Sequence, residues 1–214
     1  MADGVEYSYG ERPVLSGVDL EVHPGEVVGV EGRSGSGKST LMHVLAGLLV
    51  PDRGVVALLG DPLSERSESD RARVRLSHVG FVFQTGGLVP EFSAVENVEL
   101  PLLLLGWPVR VARDAALGLL DELEVFDQAD KRLAEISGGQ YQRVAVARAL
   151  IHDPIIVFAD EPTGSLDEVS AEHVLEAMFR CARKRGSAVL MVSHDREVTA
   201  RADRIVCLSG GTLH

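Results

Sequence analysis

The sequence predicts an α/β domain built on a mostly parallel sheet, with an N-terminal antiparallel β portion and a helical segment inserted between two strands. Three observations carry this reading. Short apolar runs bounded by turn residues alternate with longer helical stretches, the pattern of parallel strands joined by helices. Near the N-terminus apolar and polar residues alternate instead, as expected of strands with one wet face. From Gln84 to about His152 the pattern is mostly helical, with strand-like runs on either side.

In chain order, Val14-Leu15 and Val18 to Val22 form the alternating edge, and the turn His23-Pro24-Gly25-Glu26 leads into the run Val27-Val28-Gly29-Val30. A helix is expected over Ser39 to Leu49. The polar stretch Ser64 to Arg75 predicts a surface loop running into a short helix, and Val79 to Phe83 a buried strand. Helices are expected over Val111 to Leu123 and Gln140 to His152, then a strand over Ile155 to Ala159 and a helix over Glu168 to Arg185. Strands over Ala188 to Val192 and Arg204 to Leu208 complete the series. The expected division is a single domain, 1–214, with its sheet core at about 1–88 and 153–214 and a helical subdomain at about 89–152.

A chain of 214 residues buries roughly 70% of the surface its unfolded form exposes and needs neither disulfide nor structural metal. The net charge of −11 argues against nucleic acid or anionic lipid as a partner, since both call for clustered Lys and Arg. Only three basic residues are lysines, Lys38, Lys131 and Lys184, and Lys38 stands in a glycine-rich turn. Cys181 and Cys207 lie far apart without metal-binding spacing, which predicts ordinary thiols in a reducing compartment. The first residues have neither a basic nor an apolar leader segment. The most membrane-like run, Val98 to Trp107, carries Glu99 and Pro101 and is about half the ~20 residues a spanning helix needs. The expected location is therefore cytoplasmic, with no direct membrane insertion and any membrane role exercised through a partner.

Gly32-Arg33-Ser34-Gly35-Ser36-Gly37-Lys38-Ser39 matches the phosphate-loop pattern G-x-x-x-x-G-K-[ST], between a predicted strand and a predicted helix. Glycines let successive backbone amides turn inward around a phosphate, and the helix start adds unpaired amides and a partial positive charge. Lys38 is then placed for the β- and γ-phosphates and the Ser39 hydroxyl for Mg²⁺. Ile155 to Ala159 ends in Asp160-Glu161, at the carboxyl edge where ligands bind in open α/β sheets. Asp160 suits a Mg²⁺ ligand and Glu161 a general base on water, although an acidic pair also ends many strands in solvent. Ser137-Gly138-Gly139-Gln140 reads locally as a helix cap, and its bare amides also suit an anion.

The run Ile136-Ser137-Gly138-Gly139-Gln140-Tyr141-Gln142-Arg143-Val144-Ala145 resembles the signature sequence of ABC ATPases, with Ile where Leu is usual. The other family motifs follow in the expected order over the whole chain. The resemblance implies a P-loop NTPase (RecA-like) core and ATP contacts from Tyr9, Gly32, Arg33, Ser34, Gly35, Ser36, Gly37, Lys38, Ser39 and Thr40. Tyr9 would stack on adenine, with Tyr7 as its competitor. Gln84 is similar to the Q-loop glutamine, bearing on Mg²⁺ and the attacking water, and His194 to the switch histidine that holds the γ-phosphate. Ser165-Leu166-Asp167 resembles the D-loop. Catalysis would fall to Glu161, His194, Gln84 and Lys38, and Mg²⁺ to Ser39, Gln84 and Asp160.

Two such chains would meet head to tail, so that Ser137, Gly138, Gly139, Gln140 and Asp167 act on the ATP bound by the other. The implied activity is hydrolysis of ATP to ADP and phosphate, driving an integral membrane permease. Passages from Val79 to Leu102 and from Ala159 to Asp167 are most similar to the ATPases of the lipoprotein-release and macrolide-export group. Residues 84–107, with Leu88, Val89, Phe92 and Leu102 to Leu105, are the expected docking region, most of these apolar side chains also serving the helical lobe's own core. The alternative is a soluble ABC ATPase acting on DNA or ribosomes. A nucleotide-dependent scaffold without hydrolysis is a third, opposed by Lys38, Asp160, Glu161 and His194.

Overall fold

The computed structural model describes residues 1–84 and 87–214; Thr85 and Gly86, which fall in the expected docking region, lie outside the described residues. Strand β1 (Ala2–Tyr9) pairs antiparallel with β2 (Arg12–Leu20) and with β4 (Arg53–Leu58), and β5 (Asp61–Pro62) completes a four-stranded sheet in the order β2-β1-β4-β5. The second sheet holds β3 (Val27–Glu31), β6 (Val79–Phe83), β7 (Ile156–Asp160), β8 (Ala188–Val192), β9 (Arg204–Ser209) and β10 (Thr212–Leu213). Its order is β10-β9-β3-β8-β7-β6, with β9 through β6 parallel and β10 antiparallel at one edge.

The near-continuous apolar character of β3, β7 and β8 follows from burial on both faces. Side chains alternate between two cores, as the period of two in a strand requires. Val27, Val157, Ala159, Val189 and Met191 join one core with helices α3 (Ala94–Leu104), α4 (Val109–Glu122), α5 (Gly138–Leu150) and α6 (Glu168–Arg185). Val28, Val30, Phe158, Leu190 and Val192 join the other, with α1 (Lys38–Leu45) and the antiparallel sheet. Gly80 in β6 has no room for a side chain, because a Cβ there would stand 2.3 Å from the Ala149 carbonyl oxygen of α5.

Helix α6 has the expected limits, with the Asp167 side chain accepting from Ser170 N at its start and a left-handed Gly186 at its end. Helix α1 ends at Leu45, four residues short of expectation, where Gly47 at φ +67° lets the chain turn away. The stretch expected as a loop and short helix holds α2 (Glu68–His78), 11 residues capped by Ser67. The run Val98–Trp107 divides between the second half of α3, which tolerates Pro101, and the turn after it. Among the described residues no helix is long and apolar enough to cross a membrane. Of the apolar residues expected for docking, Leu88 and Leu102 are buried, Leu88 in the core shared with the sheet, whereas Leu104 is exposed, as is neighbouring Trp107.

Candidate nucleotide site

The loop from Gly32 to Gly37 joins the end of β3 to the start of α1. Gly37, the residue before the helix, has φ +101°, a left-handed value that glycine adopts without cost and that lets the loop fold over the helix end. No side chain caps α1, so its first-turn amides keep no internal partner. The Lys38 ammonium lies back over the loop, 2.8 Å from Gly32 O and 3.3 Å from Arg33 O. The Ser36 hydroxyl is buried and has no hydrogen-bond partner among the described residues. An uncapped helix start, a lysine and an orphaned hydroxyl converging on one loop fit a phosphate chain.

A cleft of about 580 Å³ opens beside this loop, lined by Tyr9, Ser34, Gly35, Gly37, Lys38, Ser39, Thr40, Asp160 and Glu161 together with Arg12, Val14 and Val192. The structure thus gathers most of the expected nucleotide residues, with Gly32, Arg33 and Ser36 completing the loop. Tyr9 is exposed at the rim, its ring edge-on to Tyr7 at 5.1 Å between centroids. Asp160, at the end of β7, faces Ser39. Burial pushes its carboxyl up, and the neighbouring Glu161 adds to that, while a hydrogen bond from Ser39 and the charges of His43 and Lys38 pull it down. A half-buried carboxylate and a hydroxyl side by side are hard oxygen donors suited to Mg²⁺.

Glu161 has φ +48°, unusual for a residue with a side chain. Its carboxylate is held by β8 and the turn beyond: Ser193 Oγ donates at 3.0 Å, His194 N at 2.9 Å, and His194 Nδ1 lies 2.7 Å away. Glu161 is 19% exposed and its histidine partner 71% exposed, so His194 forms the solvent side of the pair. His194 reaches the cleft only through Glu161. Both also border a second cleft of about 390 Å³ that includes Thr163, Gly164 and Leu166.

The remaining expected residues stand apart from the nucleotide cleft. The Gln84 amide lies against Gly164, where a Cβ would be 2.7 Å from Nε2. Ser137 caps α5 in a full capping box, its hydroxyl accepting from Gln140 N at 3.3 Å and Gln140 Oε1 accepting from Ser137 N at 2.9 Å. Gly138 faces Leu166, and Gly139 faces Ser170 of α6, within 3.5 Å of where their Cβ atoms would be. Asp167 caps α6. These residues form a surface of their own.

Sequence reasoning missed two side chains of α5. Gln142, 2% exposed, donates to Phe83 O at 2.9 Å. Arg148 donates to Gly87 O. The helix that begins at Ser137 therefore ties down the chain on both sides of Gln84. A polar residue on the apolar face of a predicted helix was the available signal for Gln142.

The family model described as ABC transporter matches residues 15–164, more than half of the chain. The chain belongs to the ABC transporter family. Among its relatives, the lipoprotein-releasing system ATP-binding protein LolD 2 of Caulobacter vibrioides is 47% identical over 204 residues, covering 95% of this chain and 90% of that protein. The ABC transporter ATP-binding protein YbbA of Escherichia coli is 45% identical over 203 residues, covering 95% and 89%. The solved dimer of the ATP-binding cassette MJ0796 in a post-hydrolysis state, bound to ADP and Pi, matches with a TM-score of 0.89 at 34% identity, over all of this chain and 95% of that one. As a family member the chain is the ATP-binding, ATP-hydrolysing subunit of a transporter, with the P-loop NTPase core expected for it. The alternative of a soluble ATPase acting on DNA or ribosomes is set aside.

Proposed function

We propose that two copies of this chain close head to tail on two ATP molecules and that opening after hydrolysis moves a membrane permease of the lipoprotein-release type. The observation that carries this is the split site: Lys38, Ser39, Asp160 and Glu161 line one cleft, while Ser137, Gly138, Gly139 and Asp167 lie outside it on a separate surface, at the starts of α5 and α6. Each cleft is open to solvent on one side, and a second chain's signature turn would complete the ring of donors around the γ-phosphate and exclude water.

Within that assembly the phosphate loop and Lys38 bind the phosphate chain, and Tyr9 stacks on the base. Ser39 and Asp160, with Gln84 once its loop moves from Gly164, would hold Mg²⁺, which neutralises charge on the phosphate oxygens. Glu161 accepts the proton of the attacking water, and His194 orients that water and the γ-phosphate. The Glu161–His194 contact keeps the base aimed until nucleotide enters. Residues 89–152 act as the helical subdomain that carries Ser137 toward and away from the partner, and the motor sits on the cytoplasmic face of the membrane through the permease. The names of its relatives in Caulobacter vibrioides and Legionella pneumophila, lipoprotein-releasing system ATP-binding proteins, supply the cargo class.

The test is light scattering of the Glu161→Gln variant with Mg-ATP, followed by its use as bait in detergent-solubilised host membranes. A dimer that forms with ATP, disappears in Ser137→Arg, and retains an integral membrane protein is the expected result. ATP-dependent dimerisation with only soluble proteins captured would overturn the permease assignment.

A further inference from the structure

Strands β3 and β8 run side by side and lead into two segments of the nucleotide site. Glu31 ends β3 and is followed by Gly32 of the phosphate loop, while Val192 ends β8 and is followed by Ser193 and His194. Beyond His194 the chain forms a short helix, α7 (Arg196–Thr199), capped by Asp195. The helix lies close on β3, where a Cβ at Gly29 would stand 3.3 Å from the Cβ atoms of Thr199 and Ala202.

Val27, Gly29 and Glu31 share that face of β3, by the strand's period of two. Val27 belongs to the apolar core there, but Glu31 sets a carboxylate at the end of the strand, 23% exposed. Its partner is the fully buried Thr199, whose hydroxyl donates to Oε1 at 2.5 Å. A hydroxyl has a single proton to give, and the carbonyls of Arg196 and Asp195, at 3.2 and 3.4 Å, are neutral and more distant acceptors. The other oxygen of Glu31 faces Arg196 at 3.9 Å, a side chain 91% exposed, and such a pair carries little weight.

From Thr199 the bonds continue to the general base. Thr199 N donates to Asp195 O at 3.2 Å, Asp195 N to Ser193 Oγ at 3.1 Å, and Ser193 Oγ to Glu161 at 3.0 Å. One end of this path is the residue before the phosphate loop, the other is the carboxylate placed to take the proton of the attacking water, and His194 lies within it. An apolar side chain at position 31 would fill the same place yet let α7 slide, whereas a charge-assisted hydrogen bond fixes one atom against another.

We propose that Glu31 is a positioning residue for hydrolysis: through Thr199 it holds α7, and with it Ser193 and His194, in register with the phosphate loop. The inference rests on the roles given above to Glu161 and His194 and adds the residue that sets their distance from the bound phosphate. The Glu31 side chain lies on the α7 face of the sheet and α1 packs on the other, so its loss acts on turnover and leaves nucleotide binding intact.

Thr199→Val keeps the shape of the side chain and removes the donor, and Thr199→Ser keeps the donor. Glu31→Leu removes the acceptor, and Glu31→Gln keeps one. Single-turnover hydrolysis is expected to slow about 10- to 100-fold in Thr199→Val and in Glu31→Leu, the scale of a misplacement of up to about 1 Å, with the Kd for a fluorescent ATP analogue changed less than about 2-fold. Thr199→Ser and Glu31→Gln should recover most of the rate. Added to Glu161→Gln, Thr199→Val should slow the residual hydrolysis by less than about 2-fold, because the base it positions is already gone. Melting curves identify any variant that fails to fold. If only Thr199→Val does, Glu31→Leu against Glu31→Gln decides; if both Thr199→Val and Glu31→Leu do, the tie is structural and the inference fails. A folded Thr199→Val that hydrolyses at the parent rate, or loses ATP affinity in step with its rate, overturns the inference while the role of Glu161 stands. If Glu161→Gln itself hydrolyses at the parent rate, that role fails and takes the inference with it.

Discussion

Replacing Gln142 by Leu keeps the length of the side chain and the helix propensity of its position but removes the donor to Phe83 O. Gln142 is 2% exposed, so no water takes its place at that carbonyl. Leaving a buried acceptor unpaired costs ~1–3 kcal/mol, and the central value of ~2 kcal/mol lowers the melting temperature of a chain this size by roughly 4–8 °C. The Phe83 carbonyl is one residue before Gln84, whereas the phosphate loop is on the far side of β7 and β8. Turnover is therefore expected to fall with ATP affinity unchanged, a loss in kcat without a rise in Kd for a fluorescent ATP analogue. Gln142→Glu sharpens the test: ionised, it faces the carbonyl with a second acceptor and is at least as damaging as Leu, but protonated it donates again. Its melting temperature relative to the parent should recover as the pH falls through its pKa. Differential scanning calorimetry and a steady-state phosphate-release assay measure both effects. A Leu variant that melts within ~1 °C of the parent and turns over at the same rate would refute the idea that this bond holds the chain before Gln84.

Glu161→Gln should lower turnover by about 10²–10⁴-fold with ATP still bound, checked by single-turnover hydrolysis and nucleotide binding. Glu122 joins the end of α4 to the end of α6, and the Arg185 hydrogen bonds, followed by Lys184, bring its carboxyl down to about 2 from an ordinary 4.5. Its unfolded form takes up the proton first, so its stabilisation is complete above pH 4.5 and is lost as pH falls toward 2. The shift corresponds to at most ~3 kcal/mol, and partial exposure reduces it to ~1–2 kcal/mol. Denaturant titrations at pH 7 and pH 3.5 should show Glu122→Gln less stable than the parent at both, with the gap narrowed by roughly 40% at pH 3.5 because the folded-state carboxyl is still mostly ionised there. Gly80→Ala would set a methyl 2.3 Å from Ala149 O, a backbone atom that cannot swing aside, and should cost ~1–3 kcal/mol by thermal melt.

The parallel sheet and its phosphate loop were legible because two-faced burial leaves continuous apolar runs and because phosphate chemistry dictates glycines, a lysine and a hydroxyl in fixed order. Helix α6 was legible to the residue from its Asp167 cap, apolar stripe and terminal Gly186. Strand β1 was not, since Ala2 and Val5 are its only fully buried positions and Gly4 interrupts it. Helix α2 was read as mostly loop because it buries no residue and so has no apolar period, its support coming from Ser67 and the Arg71 and Arg75 pairs to Glu68. Helix α3 was missed at its start, although Ser93 and Glu96 form a capping box. The rest position of Gln84 against Gly164 could not be read at all, because it depends on how two loops distant in sequence meet, and local patterns carry no such information.

The core that contains Val27, Val157 and Val189 of the sheet is the same one that contains Val95 and Val98 of α3, Leu119 and Leu120 of α4 and Val144 of α5. Within that core the helices meet the sheet through apolar side chains, with the buried Gln142 bonded to Phe83 O beside it. A rotation about a hinge would open this continuous apolar layer to water, at ~25 cal/mol for each Å² uncovered. Sliding α5 along β6, where Gly80 lets the two backbones touch, uncovers almost none. A slide of ~1–2 Å between these packed elements is therefore the relative movement expected to uncover the least apolar surface.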